Sequence, residues 1–504
     1  NYVIKCALPP SLTYAIVPEI ADSRYGLRTA DTQRLVHKFW EIGKKSYGWV
    51  GHQSTVKETC LFSGRENYLK WDDGNGVLQE MADIGLASIQ GADAWSKKGI
   101  AISLTNKLRA TIYCGNKFDN NCAAIWPKIE KNLEAIWCFC SSSEYDEIVR
   151  QIDPSLKVTN ATLIKVPFDL DRWQKVAAEK YPSGLPKPYS DDPTQWIFHG
   201  HPAKSDAPLQ VAVARLLGYR WPAELDPEME LSEEARAWIR RCDELLALAD
   251  EDGIVCIPSV RGEAAAVDSL LNLLAVSYGE AWSTDRLNEL LKQADHAGRS
   301  LESWLRDRFF AQHCRLFHHR PFIWHIWDGL YDGFAALINY HKLDSKLLES
   351  LIYTYLGDWI SRQKDDIRNG VDGAEERLAA AEGLKKRLEL ILEGEAPYDI
   401  FVRWKPLEEQ PIGWNPDLND GVRLNIRPFM SVPDVRKKGA GVLREKPNIK
   451  WNKDRGRDVE SAPWYHLFNG DRINDYHLRL EEKRRSHEAQ ASAPGTMQEK
   501  TDRP

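Results

Sequence analysis

Between Arg306 and Leu343, five histidines (His313, His318, His319, His325 and His341) alternate with nine aromatic rings running from Phe309 to Tyr340. An imidazole in such company can bind metal, move a proton, or serve as hydrogen-bond partner to a buried Trp or Tyr. Cys314 lies among them, but the spacing matches no C-x-x-C…H-x-x-x-H pattern and no cysteine pair supports one. The expectation is a polar-studded aromatic core where several helices meet. The alternative is a metal-dependent hydrolase built on these histidines.

Hydrolysis, phosphoryl transfer and dinucleotide redox leave other marks. The chain has no G-x-x-x-x-G-K-[ST] phosphate loop, no G-x-S-x-G elbow, no H-E-x-x-H and no G-x-G-x-x-G after a strand. Asp191-Asp192 and Asp365-Asp366 are paired carboxylates that a turn and a helix end explain. No catalytic residue is assigned.

The residue types that do gather suit the reading of nucleic acid. Lys97, Lys98, Lys107, Arg109 and Lys117 alternate with strands and turns, and Asn120 and Asn121 sit nearby. Lys or Arg on phosphate with Asn or Arg on base edges is the usual division of labour. A solvated polar face is the bland alternative. A second basic set, Lys437, Lys438, Arg444, Lys446, Lys450, Lys453, Arg455 and Arg457, carries Trp451 inside it. Basic residues interleaved with an aromatic suit backbone or single-strand contact; otherwise such an arm is solvated or packs on a partner. The net charge of −7 argues against indiscriminate binding, yet residues 421–460 hold eleven Lys or Arg against five Asp or Glu. A basic arm on an acidic body is compatible with docking on phosphate.

What positions these residues is read from pattern. At 504 residues the chain is long enough for two or three domains. Its 43% hydrophobic and 28% charged content is that of an ordinary soluble protein. No apolar run reaches the ~18 residues of a membrane span, and no signal peptide opens the sequence. Nine cysteines without a disulfide framework predict a reducing cytoplasm; Cys138-Phe-Cys140 reads as two buried thiols on one face of a strand. The opening at Asn1 rather than Met predicts a fragment, a processed chain or one half of a split gene.

The fold class is α+β. Residues 1–200 read as an α+β domain, with strands at 99–103, 110–114 and 159–166 and helices at 130–139, 143–152 and 171–180. The four prolines of residues 181–201 mark an ordered linker. Residues 201–396 read as mainly helical, with Ser232 as an N-cap and apolar spacings of three and four from Leu348 to Ile360. Residues 374–392 form an amphipathic helix, read as half of a helical hairpin or as a partner-binding coiled coil. Residues 397–478 read as a basic, turn-rich segment, with a strand at 398–404 and a surface crossing at 410–429. Residues 479–504 read as a disordered tail.

A resemblance adds direction. Residues 25–42, YGLRTADTQRLVHKFWEI, resemble the opening of the target-recognition domain in large N6-adenine DNA methyltransferases of restriction and phage-defence systems. That family repeats a Gly, a Thr and an Asp, then an aromatic–acidic pair; here these are Gly26, Thr29, Asp31, Trp40 and Glu41. The family has Gly between Thr and Asp where this chain has Ala30. Residues 157–169, 187–201, 315–343 and 410–429 are similar to the long methylases near BREX- and DISARM-type defence genes. The resemblance spans residues 20–458 and implies a site-specific adenine DNA methyltransferase, with Arg28, Thr29, Asp31 and Arg34 joining the DNA-binding set. It also implies S-adenosylmethionine as cofactor of the complete enzyme. The chain has neither the Gly-rich cofactor turn nor the Asn-Pro-Pro-aromatic tetrad that holds a flipped adenine. Leu8-Pro9-Pro10 lacks the Asn, and Asn415-Pro416-Asp417 lacks the second proline and the ring. The expected partners are therefore double-stranded DNA, a catalytic domain or subunit located elsewhere, and other defence-system proteins. A protein-binding scaffold is the reading from another class.

Overall fold

A computed structural model describes residues 15–43, 48–395, 405–449 and 479–492. The fold is α+β. A four-stranded antiparallel sheet runs in the order Ala21–Tyr25, Cys122–Pro127, Gly99–Ser103, Ala110–Tyr113. Alternation along its strands divides the side chains between two cores. Ile100, Ile102, Ala123 and Ile125 face the helix Leu133–Cys140, while Ala101, Tyr113, Ala124 and Trp126 face Phe118 on the other side. A second sheet joins Val36–Lys38, Asn67–Lys70, Trp49–Gln53 and Lys117–Phe118, the last pair parallel.

The histidine-rich segment departs from its expectation. Its helix Phe309–Leu316 is followed by a hairpin, Ile323–Trp327 with Ala335–Asn339, extended by Ile254–Cys256 into a three-stranded sheet. Two five-residue strands buried at every position read as a continuous apolar run, which periodicity cannot tell from a core helix. The turn is set by Asp328, whose carboxylate accepts from Leu330 N (3.0 Å) and Phe334 N (2.7 Å). Burial pushes this carboxyl up to about 6.

The expected helices at 130–139, 143–152 and 171–180 are present as Glu130–Asn132 with Leu133–Cys140, Ser143–Ile152 and Leu170–Lys180. Cys138 and Cys140 are therefore on a helix and not a strand. Residues 159–166 also depart: Asn160–Ile164 is a helix, with the Thr159 hydroxyl accepting from Thr162 N at 3.2 Å. The cap outweighs the strand preference of its β-branched residues. Ser232 caps Glu233–Asp243 as expected. Ser345–Ser350, Leu351–Tyr355 and Leu356–Arg368 run on into one another and pair with Ala374–Glu393. The seam Ala381, Leu384, Leu388 and Ile391 is buried in this chain's own core, so the hairpin reading holds and the seam is not offered to a partner.

Only the first half of residues 410–429 runs along the surface, with Ile412, Asn415 and Asn419 exposed; residues 420–426 are buried. Gly421–Asn425 and Arg427–Ser431 are short helices with Val422, Ile426 and Phe429 in the core, and Asn425 Nδ2 donates to Tyr340 Oη at 2.7 Å. The turn-rich sequence hid a compact, polar-stitched plug. Leu480–Ser492 is a helix where a tail is expected; Leu480 and Lys483 are buried, and His487 Nε2 donates to Gln410 O at 2.8 Å. The strand expected at 398–404 lies outside the described residues, as do residues 493–504. Among the described residues no helix is long and apolar enough to cross a membrane.

Candidate nucleic-acid interface

The Gly-Thr-x-Asp stretch is a turn whose sequence has steric causes. Where the strand Ala21–Tyr25 ends, a Cβ on Gly26 would stand 2.1 Å from Phe118 O, so only glycine fits. Leu27 N donates to Phe118 O (2.8 Å) and Asn120 N to Leu27 O (3.1 Å). Arg28 pairs with Ser88 through two backbone bonds, and its guanidinium donates to Leu86 O at 3.3 Å. Thr29 is buried, its hydroxyl 3.0 Å from that of Thr32. Ala30, at the family's glycine position, has φ 59°. Asp31 N donates to Thr29 O at 2.7 Å, and Asp31 stands at the N-cap of Thr32–Leu35, which carries the half-buried Arg34.

These backbone bonds set Leu27, the residue before exposed Arg28, against Phe118 and Asn120, with Asn121 next in the chain. Lys157, which the sequence reading did not single out as a site residue, donates to Asn121 Oδ1 (3.0 Å) and Asn120 O (3.4 Å). Leu104 N donates to Asn121 O at 2.9 Å, and Thr105 bridges to Lys157, which sets the exposed Lys107 on the same end of the sheet. Half-buried Arg109 follows, at the start of Ala110–Tyr113. Lys157 was not legible because its approach depends on residues 36 positions away.

The other lysines are elsewhere. Lys97 and Lys98 precede Gly99, at the opposite end of that strand from Lys107. Lys97 Nζ is 4.8 Å from the Trp126 ring centroid, and Lys98 donates to Glu230 at 2.7 Å, which raises its pKa. Lys117 lies 4.4 Å from the Trp71 ring and 4.5 Å from Trp95, a cation held between two π faces. Burial lowers its pKa. Of the seven residues expected to line one surface, the structure gathers Asn120, Asn121, Lys107 and Arg109 around one end.

The second basic set is only partly an arm. Arg444 stacks 4.2 Å from the Trp327 ring centroid and donates to Arg306 O (3.1 Å) and Asp307 (3.3 Å), so it is a packing residue. Lys437 pairs with Glu445; Lys438 and Lys446 are exposed. Their loop is anchored by buried Val442 and Leu443. Lys450, Trp451, Lys453, Arg455 and Arg457 lie outside the described residues.

The aromatic–acidic pair of the motif is internal. Trp40 Nε1 donates to Arg320 O (3.0 Å), and His341 Nε2 donates to Trp40 O (2.9 Å). Glu41 meets Arg320 at 3.2 Å and Arg423 at 3.7 Å, and accepts from Lys38 N at 2.8 Å. Burial pushes its carboxyl up, but the two guanidiniums outweigh that and hold it at about 2. His37 Nε2 donates to Asn419 O at 3.1 Å; burial, aided by Arg423 and Arg320 and opposed by Glu41, keeps it at about 4.

Three histidines of the aromatic segment, His313, His319 and His341, have hydrogen-bond partners on their rings. Ile323 N donates to His313 Nε2 (3.2 Å), so Nδ1 carries the proton and donates to Gln210 Oε1 (3.1 Å). Burial holds His313 neutral at about 3. His319 Nδ1 accepts from Asn448 N, and His318 lies edge-on to Trp40. Among the described residues no three His, Cys, Asp or Glu side chains converge as metal ligands. The Asn415-Pro416-Asp417 step does not fit an adenine clamp, because Asp417 binds Lys405 at 2.8 Å and caps Asn419.

No model of a known protein family matches the chain, and no curated protein is significantly similar to it.

Proposed function

We propose that this chain grips and reads double-stranded DNA for a site-specific adenine-N6 methyltransferase of a prokaryotic, cytoplasmic phage-defence system. The S-adenosylmethionine-binding domain then belongs to an upstream segment or another chain. The observation that supports this reading best is the loop cluster of Arg28, Asn120, Asn121, Lys107 and Lys157, drawn together by the Leu27–Phe118, Leu27–Asn120 and Leu104–Asn121 backbone bonds. It combines amide groups suited to base edges with cations suited to phosphate. Gly26 and the left-handed Ala30 add support, since both occupy positions where the family carries glycine. Arg444 drops out of the contact set and joins Trp40 and Glu41 as scaffold.

The test is duplex binding across a salt series. Affinity falls steeply with salt, and K107E/K157E weakens binding at low salt by about tenfold or more while flattening the slope by roughly two ions. Salt-independent binding, or no binding in the presence of the catalytic part, would overturn the reading. Co-purification with neighbouring gene products in the absence of any duplex affinity returns the scaffold alternative.

A further inference from the structure

A second site lies away from that loop cluster. Arg65 is 3% exposed, yet its Nε has no hydrogen-bond partner and no carboxylate stands within ion-pair distance among the described residues. The Cys114 thiol and the Phe62 ring, 5.6 Å away, stand beside its guanidinium. A buried guanidinium without a counter-ion is costly unless something else supplies the negative charge.

Arg65 lines a cavity of about 260 Å³ with Tyr68, Trp196, Cys114 and Asn116. The Tyr68 and Trp196 rings stand 5.4 Å apart at 43°, an aromatic wall for a flat molecule. The main chain fixes the two halves together: Arg65 N donates to Gln195 Oε1 (3.0 Å) and Trp196 N donates to Arg65 O (3.3 Å). Two acids also reach the lining. Glu230 is neutralised by Lys98 at 2.7 Å, and Asp226 is an exposed rim residue. The deep end of the cavity therefore carries the uncompensated positive charge.

We propose that this cavity binds a small planar molecule bearing one oxyanion, with the forked donors of Arg65 on the oxyanion and the ring against Trp196 and Tyr68. Arg65 is too deep for a duplex backbone to reach, so the site is separate from the DNA reading and its test needs no DNA. Calorimetric titration of the full chain with benzoate, with acetate and chloride as controls at matched ionic strength, reads the site directly. One benzoate binds per chain and acetate binds more weakly. R65M weakens benzoate by at least about tenfold, the loss expected for a charged hydrogen-bond pair, and R65K keeps part of the affinity. Without ligand, R65M melts no lower than the parent, because it removes a buried charge that lacks a partner. Absence of benzoate binding to the parent chain, or equal binding to R65M, overturns the proposal.

Discussion

Ala30 holds a backbone conformation that costs an L-residue roughly 1–2 kcal/mol. Its side chain is exposed, so nothing is lost by removing it. Ala30→Gly is therefore expected to stabilise the chain by roughly 0.5–1 kcal/mol, after the added entropy of the unfolded glycine, read as a shift in urea midpoint. His325 makes the complementary case. It is fully buried beside Phe310, and neither ring nitrogen has a hydrogen-bond partner. Burial, with Arg444 adding, lowers it from 6.5 to about 3. Between those values the unfolded chain takes up a proton that the folded chain refuses. This contribution is thus complete above pH 6.5 and is lost as pH falls towards 3, about 2 kcal/mol of it by pH 5. His325→Leu should raise stability at pH 7 by about 1–2 kcal/mol and shrink the loss between pH 7 and pH 5. Equal acid sensitivity in parent and variant would refute this. At this scale the sequence is a fair guide to Gly26 and a poor one to Lys157 or Arg65, whose meaning depends on distant neighbours.

Helices with capped starts and spaced apolar faces were readable: Glu233–Asp243 from Ser232, and Ala374–Glu393 from its leucines. Short strands buried on every side were not, because Ile323–Trp327 and Ala335–Asn339 show no period to read. The docking of elements was least legible. Nothing local announces that Phe39–Glu41 meets both Arg320, beside the hairpin, and Arg423, in Gly421–Asn425. Glu41 is buried, as is Arg423, so removing the acid strands cations in the interior. Glu41→Gln is expected to cost about 3–5 kcal/mol in chemical denaturation, far more than the ~1 kcal/mol of a surface pair. A loss under about 1 kcal/mol would show that solvent reaches this junction.

Across the whole molecule, the α+β class was evident from composition and pattern, while the extent of the main core was not. That core takes in Phe39 and Trp40, then Trp196 to Phe198, and continues to Leu443, across the boundary expected near residue 200. The reason is physical: a proline-rich stretch looks like a linker, yet residues 193–202 are buried throughout. The loops proposed to read DNA are thus mounted on a sheet whose neighbours are tied into the helical half by Trp40, His341, Glu41 and Arg423.

The ties at Glu41 bear on how such a protein could exchange one specificity for another. A chimera spliced at residue 200 would inherit an acid from one parent and its two guanidiniums from the other. A graft that carries residues 48–180 alone leaves that triangle of charge in one lineage and moves Lys107, Asn120, Asn121 and Lys157 together, with Arg28 staying behind, so productive crossovers belong inside the N-terminal part.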